Sequence, residues 1–179
     1  MRIRGATRIR GARRIWGARR RGAALAAALA LGLAAGLWLL WPVRAVEITN
    51  DSARQPIARV AADDAAPLRL TYLHSIYRQP AAEEFTVRDE GLELVRLASP
   101  SVAVLEYYAR PEPIVPSGEA YEIQPAPTLY RQLSVLVGAV GRRTVAYAGR
   151  ELPLYQLAAD GDRVSLHVGW TPRLALLMQ

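Results

Sequence analysis

Three residues with chemically versatile side chains lie close together in the sequence: His74, Ser75 and Glu83. An imidazole donates a hydrogen bond from one ring nitrogen and accepts one at the other, and a carboxylate accepts such a bond readily. Alternating apolar residues predict that one strand ends at His74 and that the next begins near Glu83, which would let the carboxylate reach the imidazole across a hairpin. Three roles are open: a contact that holds the hairpin, a small-molecule site at the mouth of the sheet, or catalysis.

Ser75 does not extend this pair into a hydrolase site. Successive side chains of a strand point to opposite faces, so His74 and Ser75 cannot act as base and nucleophile without a sharp bend. We therefore assign no catalytic residue and favour a non-enzymatic protein. The alternative is a small exported enzyme that uses His74 and Glu83 on an unknown substrate.

The same stretch carries a recognisable pattern, His-Ser-x4-Pro-x2-Glu-x-Phe, formed by His74, Ser75, Pro80, Glu83 and Phe85. It resembles the hallmark of the domain-of-unknown-function family eighteen-fifty. Members of that family are small exported or membrane-anchored proteins, commonly encoded beside, or fused to, the permease of TAXI-type TRAP transporters. The resemblance implies an envelope protein whose partner is such a permease or its solute-binding protein. It implies no biochemical activity, because none is established for the family.

Other chemistry finds little support in the composition. The chain has no cysteine and only two histidines, His74 and His167, at a spacing that does not suit a metal site. Neither a Rossmann glycine pattern nor a Walker sequence occurs, so no phosphate loop is predicted. Asp63 and Asp64 lie in an alanine-rich connector and are interpreted as a surface loop. We predict no metal and no cofactor, and the identity of any small-molecule ligand stays open.

The net charge of +7 over 179 residues is unevenly distributed. All 23 basic residues are arginines, and the leader, residues 1–21, holds nine of them, whereas no acidic residue precedes Glu47. From residue 46 to the end, 13 arginines face 16 carboxylates, which leaves −3. The basic character therefore belongs to the leader, and the pI near 10.3 does not indicate nucleic-acid binding.

An uncharged apolar segment, residues 22–43, follows the leader. As a helix it would be about 33 Å long, enough for a hydrocarbon core of about 30 Å. Trp38 and Trp41 lie near its end, where indole rings favour the membrane interface. The positive-inside rule then keeps residues 1–21 in the cytoplasm and places the rest outside the inner membrane. The segment is either a signal anchor or a signal peptide cleaved after Ala45, with release to the periplasm.

Residues 46–179 are predicted to form one all-β domain, an antiparallel β-sandwich or open β-barrel-like fold of roughly eight to ten strands after one N-terminal membrane helix. The predicted strands are Val46–Thr49, Ile57–Ala61, Leu68–His74, Glu84–Arg88, Leu92–Ala98, Val102–Tyr108, Gln132–Val137, Thr144–Ala148, Leu154–Leu157 and Arg163–Val168.

Two features interrupt this regular pattern. The alternation changes phase within Leu92–Leu97, which predicts a β-bulge. Five prolines fall between Pro111 and Pro127, where they would remove hydrogen-bond donors from a ladder. We interpret that stretch as a long surface loop, either functional or a stiff connector.

Overall fold

The computed structural model describes the backbone of residues 10–178 and the side chains of residues 24–178. The predicted arginine-rich leader, residues 1–21, lies outside the residues whose side chains are described. The chain divides into two compact units between Trp41 and Pro42. The first contains one helix, α1 (Arg10–Leu40), and the second contains all the strands described below.

Six leucines of α1 are strongly exposed, each with 61–74% of its surface accessible: Leu25, Leu29, Leu31, Leu33, Leu37 and Leu40. Leu39 is half-buried. No helix in the described part of the chain meets both the length and the hydropathy that a membrane crossing requires.

The described part of the second unit holds twelve strands and three short helices. The strands are β1 (Pro42–Asn50), β2 (Gln55–Ala61), β3 (Leu68–Leu73), β4 (Pro80–Arg88), β5 (Gly91–Ser99), β6 (Val115–Ser117), β7 (Ala120–Ile123), β8 (Thr128–Tyr130), β9 (Gln132–Leu136), β10 (Thr144–Tyr147), β11 (Arg150–Pro153) and β12 (Arg163–Pro172). The helices are α2 (Val102–Glu106), α3 (Leu154–Leu157) and α4 (Arg173–Leu177).

The strands form two antiparallel sheets. One has the order β2-β1-β12-β9, and the other has the order β11-β10-β3-β4-β5-β7-β6, with β8 added to β5. Neither sheet closes into a barrel. The predicted all-β fold is thus confirmed, whereas the N-terminal membrane helix stays a prediction.

One hydrophobic core joins the two sheets. Val46 and Leu166 come from the smaller sheet, and Leu68, Phe85 and Leu97 come from the larger one. Each has its side chain almost completely removed from water. The period-two pattern of the sequence is therefore the pattern of side chains that point into this core.

β1 begins earlier than residue 46. Pro42 and Val43, which the sequence placed in the apolar segment, pair with Pro172 and Thr171 of β12. Ala45 is fully buried between β2 and β12.

The β-bulge predicted from the phase change in β5 is confirmed. Phe85 pairs with Leu94, and the preceding Glu84 pairs with Arg96, so Val95 is the extra residue. The bulge allows Leu94 and Leu97 both to enter the core although they are three positions apart, an offset that would put them on opposite faces of a regular strand.

Two predicted strands are wrong. Val102–Tyr108 contains helix α2, and Leu154–Leu157 is helix α3. In α2 the consecutive residues Val104 and Leu105 are both fully buried, which a strand with one solvent face would not allow. Segments this short do not show their period clearly, so apolar residues alone predicted the wrong element.

The proline-rich stretch Pro111–Pro127 is not a loop throughout, because it contains the hairpin β6–β7. Gly118 provides the positive φ of its turn. Pro116 is tolerated because β6 is the outermost strand of its sheet and needs no ladder donor on its free side.

Candidate functional site

The turn between β3 and β4 fixes the position of His74. Its N–H donates to the carbonyl of Gln79 at 2.8 Å, and its own carbonyl accepts from the N–H of Arg78 at 2.9 Å. Arg78 closes this turn with a φ of 55°. His74 therefore continues the ladder of β3 by one residue and lies at the mouth of the sheet.

The His74 ring is packed among tyrosines and is only 6% exposed. It stacks on Tyr77 with centroids 5.2 Å apart and meets the edge of Tyr107 at 4.8 Å. The backbone N–H of Tyr77 donates to its Nδ1 at 3.4 Å. A neutral imidazole that accepts at Nδ1 carries its proton on Nε2, so the other ring nitrogen is a hydrogen-bond donor.

Glu83 lies on the core-facing side of β4, opposite Leu70. Its carboxylate accepts a hydrogen bond from the hydroxyl of Tyr72 and another from the hydroxyl of Tyr108, each at 3.0 Å. The two hydroxyls are also in contact with each other. A half-buried carboxylate needs such donors to offset its loss of water. We call Glu83, Tyr72 and Tyr108 the carboxylate–tyrosine cluster.

The cluster shifts the acidity of both phenols. Burial raises the pKa of Tyr72 well above its usual value, and the negative charge of Glu83 raises it further. The pKa of Tyr108 is raised for the same two reasons in the same order, and Tyr72 adds to its shift. Both hydroxyls therefore keep their protons, as donors to the carboxylate must.

The hydrogen bond between His74 and Glu83 that the sequence suggested is not formed. In the register of β3 and β4, Glu83 faces Leu70, four residues or about 13 Å along the strand from His74. Tyr72 lies between them on β3, and its hydroxyl donates to the Glu83 carboxylate, which is its diagonal neighbour on β4. The sequence reasoning placed the start of β4 at Glu83, but β4 begins at Pro80.

The other residues of the pattern have separate positions. Ser75 is exposed in the turn. Pro80 opens β4, and its carbonyl accepts a hydrogen bond from the Ser99 hydroxyl at 2.8 Å. Phe85 is fully buried in the core, where it meets Tyr130 edge to face at 6.1 Å. Phe85 and Pro80 therefore serve the fold, whereas His74 and Ser75 face a cavity.

That cavity has a volume of about 490 Å³ and opens where β3 ends. We call it the tyrosine cavity. Its walls are Tyr72, Leu73, His74, Ser75, Tyr107, Tyr108, Leu136, Val137, Gly138, Val140, Gly141 and Arg143. Tyr107, Leu136 and Val140 are 47–60% exposed and give it an apolar rim. Its volume lies in the range of about 300–1,000 Å³ typical of small-molecule sites.

Arg143 supplies the cation of this cavity. Its guanidinium lies 5.1 Å above the Tyr72 ring and donates from Nη1 to the carbonyl of Leu136 at 2.6 Å. Gly141 leaves room for it, because a Cβ there would come within 3.2 Å of Nη1. The backbone is held as well, since the Arg143 carbonyl accepts from Leu154. The guanidinium is thus positioned by a ring, a carbonyl and a glycine.

This arrangement suits recognition better than group transfer. His74 and Glu83 are separated by Tyr72, and Glu83 is already bonded to two hydroxyls. Among the described residues, no group of three or more histidines or carboxylates is placed to hold a metal ion. The convergence of apolar walls with a few polar groups is typical of a ligand pocket.

Sequence reasoning missed Arg143 and Tyr108. From the sequence, Arg143 has no predicted role, and Tyr108 lies within the predicted strand Val102–Tyr108. One feature of the sequence could have indicated a cationic site here. Two arginines follow Gly141 directly, whereas the domain from residue 46 onward carries more carboxylates than arginines. Nothing in the sequence showed which of the two arginines turns inward.

Comparison with protein families gives a match over part of the chain. Residues 68–154 fit the model of the family described as Domain of unknown function (DUF1850). The match begins with β3 and ends at the start of α3, so it contains the His74 turn, the carboxylate–tyrosine cluster and Arg143. No curated protein and no solved structure matches the chain.

Proposed function

Since residues 68–154 form a DUF1850 domain, we propose that the chain is a non-enzymatic accessory protein of the cell envelope that binds a small molecule in the tyrosine cavity. The observation that carries the proposal is the cavity itself, with its apolar rim and its positioned guanidinium. The nearby ionisable groups are engaged in internal contacts rather than exposed as a reactive pair. That favours binding over catalysis.

The proposed partner is a TRAP-type permease of the TAXI class or the solute-binding protein that serves it. This part of the proposal rests on the family resemblance of the sequence. A binding domain beside a transporter has an obvious use for a small-molecule site, because it can hold a solute or sense its concentration. The ligand would then be related to what the permease carries.

The proposed location is the inner membrane, with the leader in the cytoplasm and the β domain outside. The exposed leucines of α1 support it, since a helix that leaves so much apolar surface in water gains free energy from entering lipid. The nine leader arginines support the orientation.

Retention of the segment as an anchor, rather than its cleavage, is supported by the residues at the predicted cleavage site. Cleavage after Ala45 would remove Pro42–Ala45, nearly half of β1, which pairs along its whole length with β12. Arg44 also forms ion pairs with Asp64 at 2.9 Å and Asp89 at 2.7 Å. The fully buried Val46, in the middle of the sheet, would become the new chain end.

Fractionation and affinity purification test the proposal. The full chain, with a tag after Gln179, is expressed in its own host, and the membranes are solubilised in mild detergent. We expect the tag to be accessible to protease from the outer side and the chain to co-purify with a multi-spanning permease or a solute-binding protein. An unrelated single-span protein with the same tag is the control. Recovery of the chain in the cytosol would refute the proposed envelope location. Absence of any transporter component above the level of this control would refute the proposed transporter partner.

A further inference from the structure

No carboxylate of the described residues acts as a counter-ion to the guanidinium of Arg143. The described residues give it a ring and a carbonyl as partners, and no carboxylate within ion-pair distance. Two other half-buried arginines differ, since Arg44 and Arg96 each contact two carboxylates. A fixed guanidinium with unused N–H groups beside a cavity is the usual receptor for an oxyanion.

Resting on the proposed binding function, we infer that the ligand of the tyrosine cavity is a small organic carboxylate. Its carboxylate binds Arg143, and its hydrocarbon body lies against Tyr107, Leu136 and Val140. His74 adds a donor, because its Nε2 carries the proton when Nδ1 accepts from Tyr77. A carboxylate with an apolar body matches the two parts of the described lining, because its charge can pair with Arg143 and its hydrocarbon can contact the apolar rim.

The nearby negative charge of Glu83 does not oppose this ligand strongly. Glu83 does not line the cavity, whereas Tyr72 and Tyr108 do. The hydroxyls of these two tyrosines donate hydrogen bonds to the Glu83 carboxylate. No carboxylate is found among the described residues that form the wall. A cationic ligand would instead meet the charge of Arg143, and a ligand with several negative charges would meet only one fixed guanidinium.

The chain offers a matched pair of variants for the test. Arg142 and Arg143 are neighbours, but Arg142 is exposed and does not line the tyrosine cavity. Arg143→Gln and Arg142→Gln therefore make the same change in charge, one inside the site and one outside it. Arg143→Lys keeps the charge and removes the planar fork that suits a carboxylate.

Binding is measured by isothermal titration of the full chain in detergent, with benzoate and hexanoate as probes and benzamide and hexanamide as their neutral counterparts. We expect the carboxylates to bind more tightly than the amides. Arg143→Gln should weaken carboxylate binding about tenfold to a hundredfold, the range for a lost charged hydrogen-bond partner. Arg142→Gln should leave it within about twofold, and Arg143→Lys should fall between.

Three results would overturn the inference: two concern relative affinities, and the third is absence of binding by all four probes. One is equal affinity for acid and amide in the native chain, a comparison that holds even if Arg143→Gln fails to fold. The other is loss of affinity in Arg142→Gln as large as in Arg143→Gln. If the amides bind as tightly as the acids, the carboxylate ligand is refuted but the proposed binding function stands. If none of the four probes binds, the carboxylate ligand is refuted and the result also counts against the cavity as a binding site. Co-purification of a transporter tests the accessory role independently.

Discussion

The carboxylate–tyrosine cluster predicts how the domain unfolds in alkali. An ordinary tyrosine ionises near pH 10, but Tyr72 and Tyr108 have a raised pKa in the folded chain. Because the pKa is higher in the folded than in the unfolded state, the contribution to stability is complete below about pH 10 and is lost as the pH rises toward the folded-state value. The unfolded chain then releases protons that the folded chain keeps.

The size of the effect follows from the number of such groups. Each tyrosine that stays protonated in the folded state lowers the free energy of unfolding by about 1.4 kcal/mol for each pH unit above about 10. Tyr72 and Tyr108 together give about 2.7 kcal/mol per unit, or about 4 kcal/mol at about pH 11.5. A typical domain has about 5–15 kcal/mol in total, so alkali near about pH 12 should remove a large part of the free energy of unfolding.

Urea unfolding of the full chain, monitored by circular dichroism at pH values from about 8 to about 12, measures how the free energy of unfolding falls with pH. Tyr108→Phe should reduce the slope by about 1.4 kcal/mol per unit. At neutral pH the same variant should lose about 1.5–3 kcal/mol, since it removes a hydrogen bond to a charged group. Tyr121→Phe, a change on the exposed face of β7, is the control and should alter neither quantity. An unchanged slope in Tyr108→Phe, or tyrosinate absorbance that reaches all eight residues before unfolding, would show that the cluster does not hold these protons.

Three further predictions concern the fold. Phe85→Ala should cost about 3–5 kcal/mol of unfolding free energy, measured by urea titration, because it empties a fully buried site; a loss below about 1 kcal/mol would contradict the assigned core. Gly91→Ala should lower the melting temperature sharply, since its Cβ would collide with the carbonyl oxygen of Tyr130, and a native-like melting temperature would argue against the pairing of β5 with β8. A chain that starts at Val46 should melt at a lower temperature than one that starts at Pro42, because it lacks half of a paired strand, and equal melting curves would remove the argument against cleavage.

The sequence predicted the elements whose side chains alternate over a long run. β3, β5 and β12 show that pattern because one of their faces contacts the core and the other does not. Even the bulge in β5 was visible, since one extra residue changes which positions are apolar. What the sequence could not give was strand register. The start of β4 was placed three or four residues too late, and the partner predicted for Glu83 was therefore wrong.

The candidate site was harder to predict because its parts lie where the alternation stops. Tyr107 and Tyr108 follow α2, and Arg143 follows a turn, so neither segment has a period that indicates a face. Composition showed that these residue types were present, but only the tertiary contacts select Arg143 over Arg142. His74 was found from the sequence since it ends a well-patterned strand.

The helix that sequence reasoning mistook for a strand is what completes the site. In a strand, Tyr107 and Tyr108 would point to opposite faces of one sheet, so they could not contact the neighbouring Glu83 and His74 side chains together. After the last turn of α2, Tyr108 reaches Glu83 while Tyr107 meets the edge of the His74 ring, so consecutive residues serve the carboxylate and the cavity wall. A change that unfolds α2 without touching either tyrosine should therefore disturb both at once. The stability of Glu83 inside the fold and the shape of the ligand cavity are in this way coupled through one short helix.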